Sequence, residues 1–181
     1  MKRLLILVFT LGSGILQAQT EKIESVALDN LIWKKINVYR SLKGTTPFIA
    51  FEDSLMRAFC TRLAHRNIEI YPPLHSDSVG YWSNAECLYS YKYSGANFNN
   101  LVNEIRSGNV ESFAERAVQS WIHSPTHERA ISRPEYNIAT VVSIIVIDYD
   151  NKTIRFESTY HALDKEHNTF NGYVYHIKKG K

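Results

Sequence analysis

The run YNIATVVSIIVI, residues 136–147, decides the fold, because it is rich in β-branched residues and almost continuously apolar. This pattern is typical of a strand that is buried on both faces. The polar residues 148–152 follow and indicate a turn, after which residues 153–161 predict the second strand of a hairpin. Both faces of such a hairpin must be covered by other elements of the chain.

Apolar residues at helical spacing predict four helices upstream of this hairpin. They recur over residues 28–42, 55–65, 98–107 and 110–122. Ser124 and Pro125 then have the residue types of a helix N-cap and first turn, and they predict a short fifth helix. Helices packed on both sides of a small antiparallel sheet are the simplest arrangement of these elements, an α+β fold.

The remaining segments lack a clean period. Residues 69–85 are predicted to form a long connection, and connections of this length in a compact domain are often functional. Residues 19–27 are expected to be a short lead-in, and residues 28–162 the folded domain. The C-terminal extension, residues 163–181, contains an apolar stretch that predicts an edge strand at residues 173–177.

The N-terminal segment has the layout of a secretory signal peptide. Lys2 and Arg3 precede a short apolar run that ends at Leu16, and the small residue Ala18 follows. The run is too short, and too rich in Gly and Ser, to cross a bilayer comfortably, although a retained anchor is the alternative. We therefore expect residues 1–18 to be removed, with cleavage after Ala18 or Gln19. The mature protein would then have no membrane span and would be periplasmic or secreted.

Removal of the signal peptide changes the charge balance. The whole chain contains 21 Lys and Arg and 18 Asp and Glu, a net charge of +3. Residues 1–18 contain Lys2 and Arg3 and no acid, so 19 basic and 18 acidic residues remain, a net charge of +1. A nearly neutral domain without a basic stripe is a poor partner for nucleic acid.

The two cysteines, Cys60 and Cys87, allow two interpretations. An oxidising compartment and an even number of thiols are compatible with one disulfide bond. Cys60 lies inside a predicted helix, however, where a small apolar side chain would also pack well.

Two imidazoles and a carboxylate are candidates for a functional site. His75 lies in the long connection, Glu86 follows its end, and His127 lies near the start of the predicted fifth helix. Imidazole titrates near neutral pH and binds metals in its neutral form, so this combination could serve metal binding or acid–base chemistry. Each residue also has a structural interpretation, as a loop, buried or helix-start side chain.

Several short motifs resemble those of the CAP superfamily of cysteine-rich secretory proteins, antigen 5 and pathogenesis-related proteins, in its bacterial secreted form. The resemblance covers about residues 28–162. It is carried by N-x-x-R at residues 37–40, G-x-x-P at 44–47, His75-Ser76, Glu86, and W-x-x-S-P-x-H at 121–127.

The resemblance implies a three-layer α-β-α sandwich with a small antiparallel sheet. It also implies a cleft that is lined by two histidines and two acids in many relatives. His75 and Glu86 match the first histidine and the first acid, whereas Ser124 stands where the second acid is expected. His127 matches the second histidine, and His161 on the predicted hairpin is a weaker alternative.

Three functions follow as hypotheses. The first is an exported ligand-binding module whose cleft includes His75, Glu86, Ser124 and His127. Its ligand would be a small apolar molecule, a glycan or a peptide, and a divalent metal, zinc or calcium, could be held by His75 and His127. The second is a peptidase or cell-wall hydrolase that uses a metal or a His/Glu pair. The third is an interaction protein without a site.

Aromatic residues on both sides of Glu86 also have two interpretations. Tyr81, Trp82, Tyr89, Tyr91 and Tyr93 could line a ligand groove. Packing in a half-buried strand or loop is the more common role of such residues.

Overall fold

The structure is a computed structural model that describes residues 19–50, 54–75, 85–164, 169–170 and 173–174. Five helices are described: α1 (Val26–Leu42), α2 (Ser54–Asn67), α3 (Phe98–Arg106), α4 (Glu111–Ile122) and α5 (Pro125–Ser132). The strands are β1 (Thr20–Glu24), β2 (Ile49–Ala50), β3 (Ala85–Ser94), β4 (Tyr136–Asp148), β5 (Thr153–Asp164), β6 (Thr169–Phe170) and β7 (Tyr173–Val174).

The predicted hairpin forms the centre of the main sheet. β4 and β5 pair antiparallel through a turn in which Lys152 has a φ of 50°. The strand order is β1-β4-β5-β3, and β2 lies beside β4 in the parallel direction. Both hairpin strands therefore have a paired strand on either side, so neither of them is an edge strand of the sheet.

Helices cover the sheet on both faces, which confirms the α+β sandwich. On one face, α1, α3, α4 and α5 pack against residues such as Ile145 and Phe156. On the other face, α2 packs against Val142, Ile144 and Val146. Side chains alternate between the faces of a strand, so neighbouring residues of β4 enter opposite layers.

Two of the longer strands lie where the sequence predicted none. The lead-in contains β1, which pairs with β4 from Thr20 to Glu24. The segment after the long connection forms β3, which pairs with β5 over its whole length. At the C-terminal end, β6 and β7 pair with each other as a separate two-stranded sheet, so Tyr173 and Val174 do not extend the main sheet.

The disulfide hypothesis is wrong, and the packing hypothesis holds. Cys60 and Cys87 are free, fully buried thiols. Cys60 belongs to the layer under α2, whereas Cys87 belongs to the layer on the opposite face of the sheet. Burial raises the pKa of both thiols well above the ordinary value, so both keep their protons near neutral pH.

A buried arginine connects the end of α1 with the end of α5. The Arg40 side chain is fully buried, and its guanidinium lies 3.7 Å from the centre of the Phe48 ring. It donates hydrogen bonds of 2.7 to 3.1 Å to four backbone carbonyls, those of Thr46, Ile131, Arg133 and Tyr136. The R of the N-x-x-R motif therefore fixes α5 and the start of β4.

The predicted signal peptide, residues 1–18, lies outside the described residues. Among the helices that are described, none has both the length and the apolar character that crossing a membrane requires.

Candidate functional site

The carboxylate of Glu86 lies between two imidazoles. Its Oε1 atom is hydrogen-bonded to Nδ1 of His75 at 2.6 Å. Its Oε2 atom lies 3.2 Å from Nε2 of His161, the residue opposite Glu86 in the pairing of β3 with β5. The Glu86 side chain is only 8 % exposed, whereas that of His75 is 51 % exposed. The carboxylate therefore connects a surface imidazole with an interior one.

His161 forms the interior end of this arrangement. It is fully buried, and its ring packs edge-on against Phe59 of α2 at 5.4 Å. Burial lowers the pKa of His161 to about 4, although the nearby Glu86 carboxylate acts in the opposite direction. The ring is thus neutral near pH 7.

His75 forms the surface end. Its Nδ1 atom faces Glu86, so the neutral ring carries its proton on Nδ1 and a lone pair on Nε2. A carboxylate that holds one ring nitrogen fixes the orientation of the other, an arrangement also found behind metal-binding histidines. The exposed edge of His75 can therefore accept a hydrogen bond, take up a proton or bind a metal.

His127 lies beside His75. The two ring centres are 6.4 Å apart, and the ring planes differ by 29°. Burial lowers the pKa of His127, and the neighbouring His75 acts in the same direction. His75 thus contacts both Glu86 and His127, and three residues that are far apart in the sequence form one cluster.

The start of α5 positions His127. Ser124 has the extended backbone of an N-cap, with φ −100° and ψ 114°, and its carbonyl accepts a hydrogen bond of 2.7 Å from the Glu128 amide. The Ser124 hydroxyl makes no capping hydrogen bond. Pro125 occupies the first turn, as predicted. The described contacts of Ser124 lie within α5 and at its junction with α4, so none of them connects its hydroxyl to the imidazoles.

Two side-chain hydrogen bonds connect α4 and α5 to the strands β3 and β5. The Trp121 side chain is fully buried, and its Nε1 donates a hydrogen bond of 3.1 Å to the carbonyl of Leu88 on β3. The hydroxyl of Tyr160 donates to the carbonyl of Ala130 at 3.2 Å. Trp121 is therefore a core residue, and the position of His127 depends on this packing of the helices against the sheet.

The fit of a metal can be tested against the ligands that the site offers. In the part of the chain that the structure describes, no group of three or more His, Cys, Asp or Glu side chains is arranged to hold a metal ion. Both oxygens of Glu86 face imidazole nitrogens. His75 and His127 thus supply two protein ligands, fewer than the three or four of known zinc sites.

Three of the aromatic residues near Glu86 in sequence do not line the cluster. Tyr89, Tyr91 and Tyr93 pack against the core on the face of β3 opposite Glu86, as the alternation of side chains requires. The Tyr89 ring lies 5.3 Å from that of Phe156. The packing interpretation therefore holds for these residues, whereas Tyr81 and Trp82 lie outside the described residues.

Glu157 is a buried acid on the same face of β5 as His161, and no pattern in the sequence singles it out. It is fully buried, and the nearby Ser90 and Asn67 side chains favour its charged form less strongly than burial disfavours it. Burial raises its pKa to about 9, so the carboxyl is neutral near pH 7. The polar alternation along β5 indicates a solvated face, and only the position of α2 shows that this face is covered.

Comparison with known proteins establishes no family. No protein-family model matches the sequence, and no curated protein matches it. Among solved structures, the fold is similar to that of an outer surface protein from Borrelia burgdorferi. That similarity has a TM-score of 0.40 and 13 % sequence identity, and covers 81 % of this chain and 100 % of that chain.

Proposed function

We propose that this chain is an exported, CAP-like ligand-binding domain whose site is formed by His75, Glu86 and His127. The observation that carries the proposal is the 2.6 Å hydrogen bond between Glu86 Oε1 and His75 Nδ1. It fixes a half-exposed imidazole beside a second one, and it leaves the outer nitrogen of His75 for a ligand. Export is supported by the signal-peptide pattern of residues 1–18.

The chemistry of the cluster favours a ligand with hydrogen-bond donors. The outer nitrogen of His75 is an acceptor, and His127 is neutral near pH 7 because burial lowers its pKa. The buried negative charge of Glu86 disfavours an anion at this position. Hydroxyl groups of a glycan or amide groups of a peptide therefore suit the site better than a purely apolar molecule.

A metal ion bound by His75 and His127 would be an addition to this ligand-binding site. Imidazole nitrogen is a good ligand for zinc, whereas calcium prefers oxygen ligands. Imidazole suits zinc better than calcium, but two histidines are fewer than the three or four protein ligands of known zinc sites, so the binding proposal does not depend on a metal.

A hydrolase is the second candidate, and the same hydrogen bond favours it. A carboxylate that orients an imidazole through Nδ1 prepares the opposite nitrogen as a general base. In this case His75 would take a proton from a water molecule, and Glu86 would stabilise the imidazolium that forms. The attacking group would be that water, since the nearby thiol of Cys87 is buried and protonated.

Calorimetric titration of residues 19–181 tests the binding proposal. The probes are a soluble peptidoglycan digest, a chitin oligosaccharide and zinc chloride, each used separately. His75→Ala and His127→Ala should each lower the affinity for the probe that binds by about tenfold or more, as expected for loss of a hydrogen bond. His123→Ala is the matched control, because His123 is an exposed histidine that caps α4 and whose ring faces the Gln119 carbonyl. Equal affinities in all three variants would contradict the proposal.

Activity assays with the same glycan and peptide probes separate the two candidates. A hydrolase requires that Glu86→Gln and His75→Ala both lower the rate and alter its dependence on pH. Binding without turnover supports the module, and turnover that neither substitution changes excludes this cluster as the catalytic site. If no probe binds and no probe is cleaved, the interaction-protein hypothesis is favoured.

A further inference from the structure

The first described residue, Gln19, is held at the hairpin turn. Its amide nitrogen donates a hydrogen bond of 3.0 Å to Oδ2 of Asp150. Its carbonyl accepts a hydrogen bond of 3.0 Å from the amide of Tyr149. Both main-chain groups of Gln19 are therefore used, and the pairing of β1 with β4 begins at the next residue.

Glu21 strengthens the same anchor. Its Oε2 atom accepts a hydrogen bond from the Tyr149 hydroxyl and lies 3.0 Å from the guanidinium of Arg106. Both contacts lower the pKa of Glu21, and the hydrogen bond from Tyr149 has the larger effect. The Tyr149 ring also packs edge-on against Phe98 at 6.0 Å. The start of β1 is thus tied to the turn after β4 and to α3.

We propose that the mature chain begins at Gln19 and that its new α-ammonium group forms an ion pair with Asp150. The proposal rests on the signal peptide that the sequence predicts. The hydrogen bonds of Gln19 favour one of the two cleavage positions, because cleavage after Gln19 would remove its bonds to both Asp150 and Tyr149. Cleavage after Ala18 keeps both, and it converts the bond to Asp150 into a charge-assisted one.

The reaction is the hydrolysis of one peptide bond by a signal-peptide-cleaving protease of the export machinery. The bond between the Ala18 carbonyl carbon and the Gln19 nitrogen breaks, and one water molecule is consumed. Its hydroxyl completes the carboxyl group of Ala18, and its proton goes to the Gln19 nitrogen. At neutral pH this amine takes a further proton from solvent and faces the Asp150 carboxylate.

The ion pair has a chemical consequence for an N-terminal glutamine. A free amine can attack its own side-chain amide carbon, form a five-membered lactam and release ammonia. The nucleophile is the unprotonated amine, and a nearby carboxylate favours the protonated form. Asp150 should therefore slow this cyclisation, although an exposed ion pair adds little to the stability of the fold.

Intact-mass analysis of the exported protein tests the cleavage position. The full chain is produced in a bacterial host and purified from the periplasm or the medium. The expected mass is that of residues 19–181. A mass that corresponds to a start at Thr20, or to retention of Met1, would overturn the proposal.

A comparison of Asp150→Asn with wild type tests the ion pair. NMR titration should show a lower pKa for the α-amine in the variant, and the mass spectrum should show faster loss of ammonia. Glu135→Gln is the control, because Glu135 is an exposed acid paired with Arg133. Equal cyclisation in all three proteins, or complete cyclisation of the wild type on isolation, would exclude the ion pair. Neither result depends on whether His75 binds a ligand.

Discussion

Glu86 on β3 and His161 on β5 lie opposite each other on adjacent strands, with Oε2 of the carboxylate 3.2 Å from Nε2 of the imidazole. The histidine is fully buried, and the acid is almost so. A carboxylate in such a position needs polar partners, because an unpaired buried charge is costly. His161 thus anchors Glu86 from within the protein, and Glu86 in turn orients His75 at the surface.

Replacing this interior anchor should destabilise the fold and loosen the site. His161→Leu removes one partner of a buried carboxylate, so we expect a loss of about 2–4 kcal/mol in the free energy of unfolding. Urea denaturation of the variant and the wild type measures the difference. His65→Leu, at a half-exposed position of α2, is the control and should change the free energy by less than about 1 kcal/mol. Equal stability of the two variants would show that His161 does not anchor Glu86.

The low pKa of His161 predicts how stability depends on acid. The folded protein resists protonation of this ring down to about pH 4, whereas the unfolded chain binds the proton near pH 6.5. Between these values the unfolded state holds more protons, so stability falls as the pH is lowered, by about 1.4 kcal/mol per pH unit from this group. The difference in unfolding free energy between wild type and His161→Leu should narrow from pH 6.5 to pH 4. A constant difference over this range would contradict a buried neutral imidazole.

The tautomer of His75 is a direct test of the site geometry. The hydrogen bond to Glu86 requires the proton on Nδ1, whereas free imidazole favours Nε2. Long-range ¹H–¹⁵N spectra near pH 8 should show the Nδ1 form in the wild type and the Nε2 form in Glu86→Ala. His123 is an internal reference, because its Nδ1 lies 2.7 Å from the Gln119 carbonyl, which the substitution leaves in place. An Nε2 proton on His75 in the wild type would be incompatible with the hydrogen bond.

Glu157 predicts a dependence on pH of the opposite sign. Its carboxyl keeps its proton up to about pH 9 in the folded protein but loses it near pH 4.5 in the unfolded chain. The folded state therefore holds the extra proton between these values, and stability falls by about 1.4 kcal/mol per unit as the pH rises. Glu157→Gln should abolish this dependence on pH. The variant should therefore become more stable relative to wild type as the pH rises from about 6 to 9. Unfolding curves over that range provide the measurement, with Glu135→Gln as a control that follows the wild type.

Much of the fold could be predicted because the decisive patterns are local. The hairpin of β4 and β5 has a continuous apolar run and a polar turn, and the larger helices have clear apolar periods. β1 was missed because Ile23 is its only large apolar residue, and its pairing depends on the distant β4. β3 was missed because Glu86 and Lys92 interrupt the pattern expected of a buried strand.

The site could be predicted only in part, for the same physical reason. His75, Glu86 and His127 were named from residue type and resemblance, and the structure brings them together. The role of His161 depends on the register between β3 and β5, and a strand that is not predicted has no register. The burial of Glu157 could not be predicted because it depends on α2, which is distant from Glu157 in the sequence.

Arg40 connects the fold to the site, and its removal should affect both. Arg40→Met keeps much of the apolar volume but leaves the carbonyls of Thr46, Ile131 and Tyr136 without their donor. We expect a loss of about 3–5 kcal/mol in the free energy of unfolding, since several buried acceptors lose their partner together. Hydrogen exchange should rise first in α5, which Arg40 holds through the Ile131 carbonyl, and the His127 ring should become more mobile. Arg62→Met, at an exposed position of α2, is the matched control. Unchanged exchange in α5 would show that the helix is held by its apolar contacts alone.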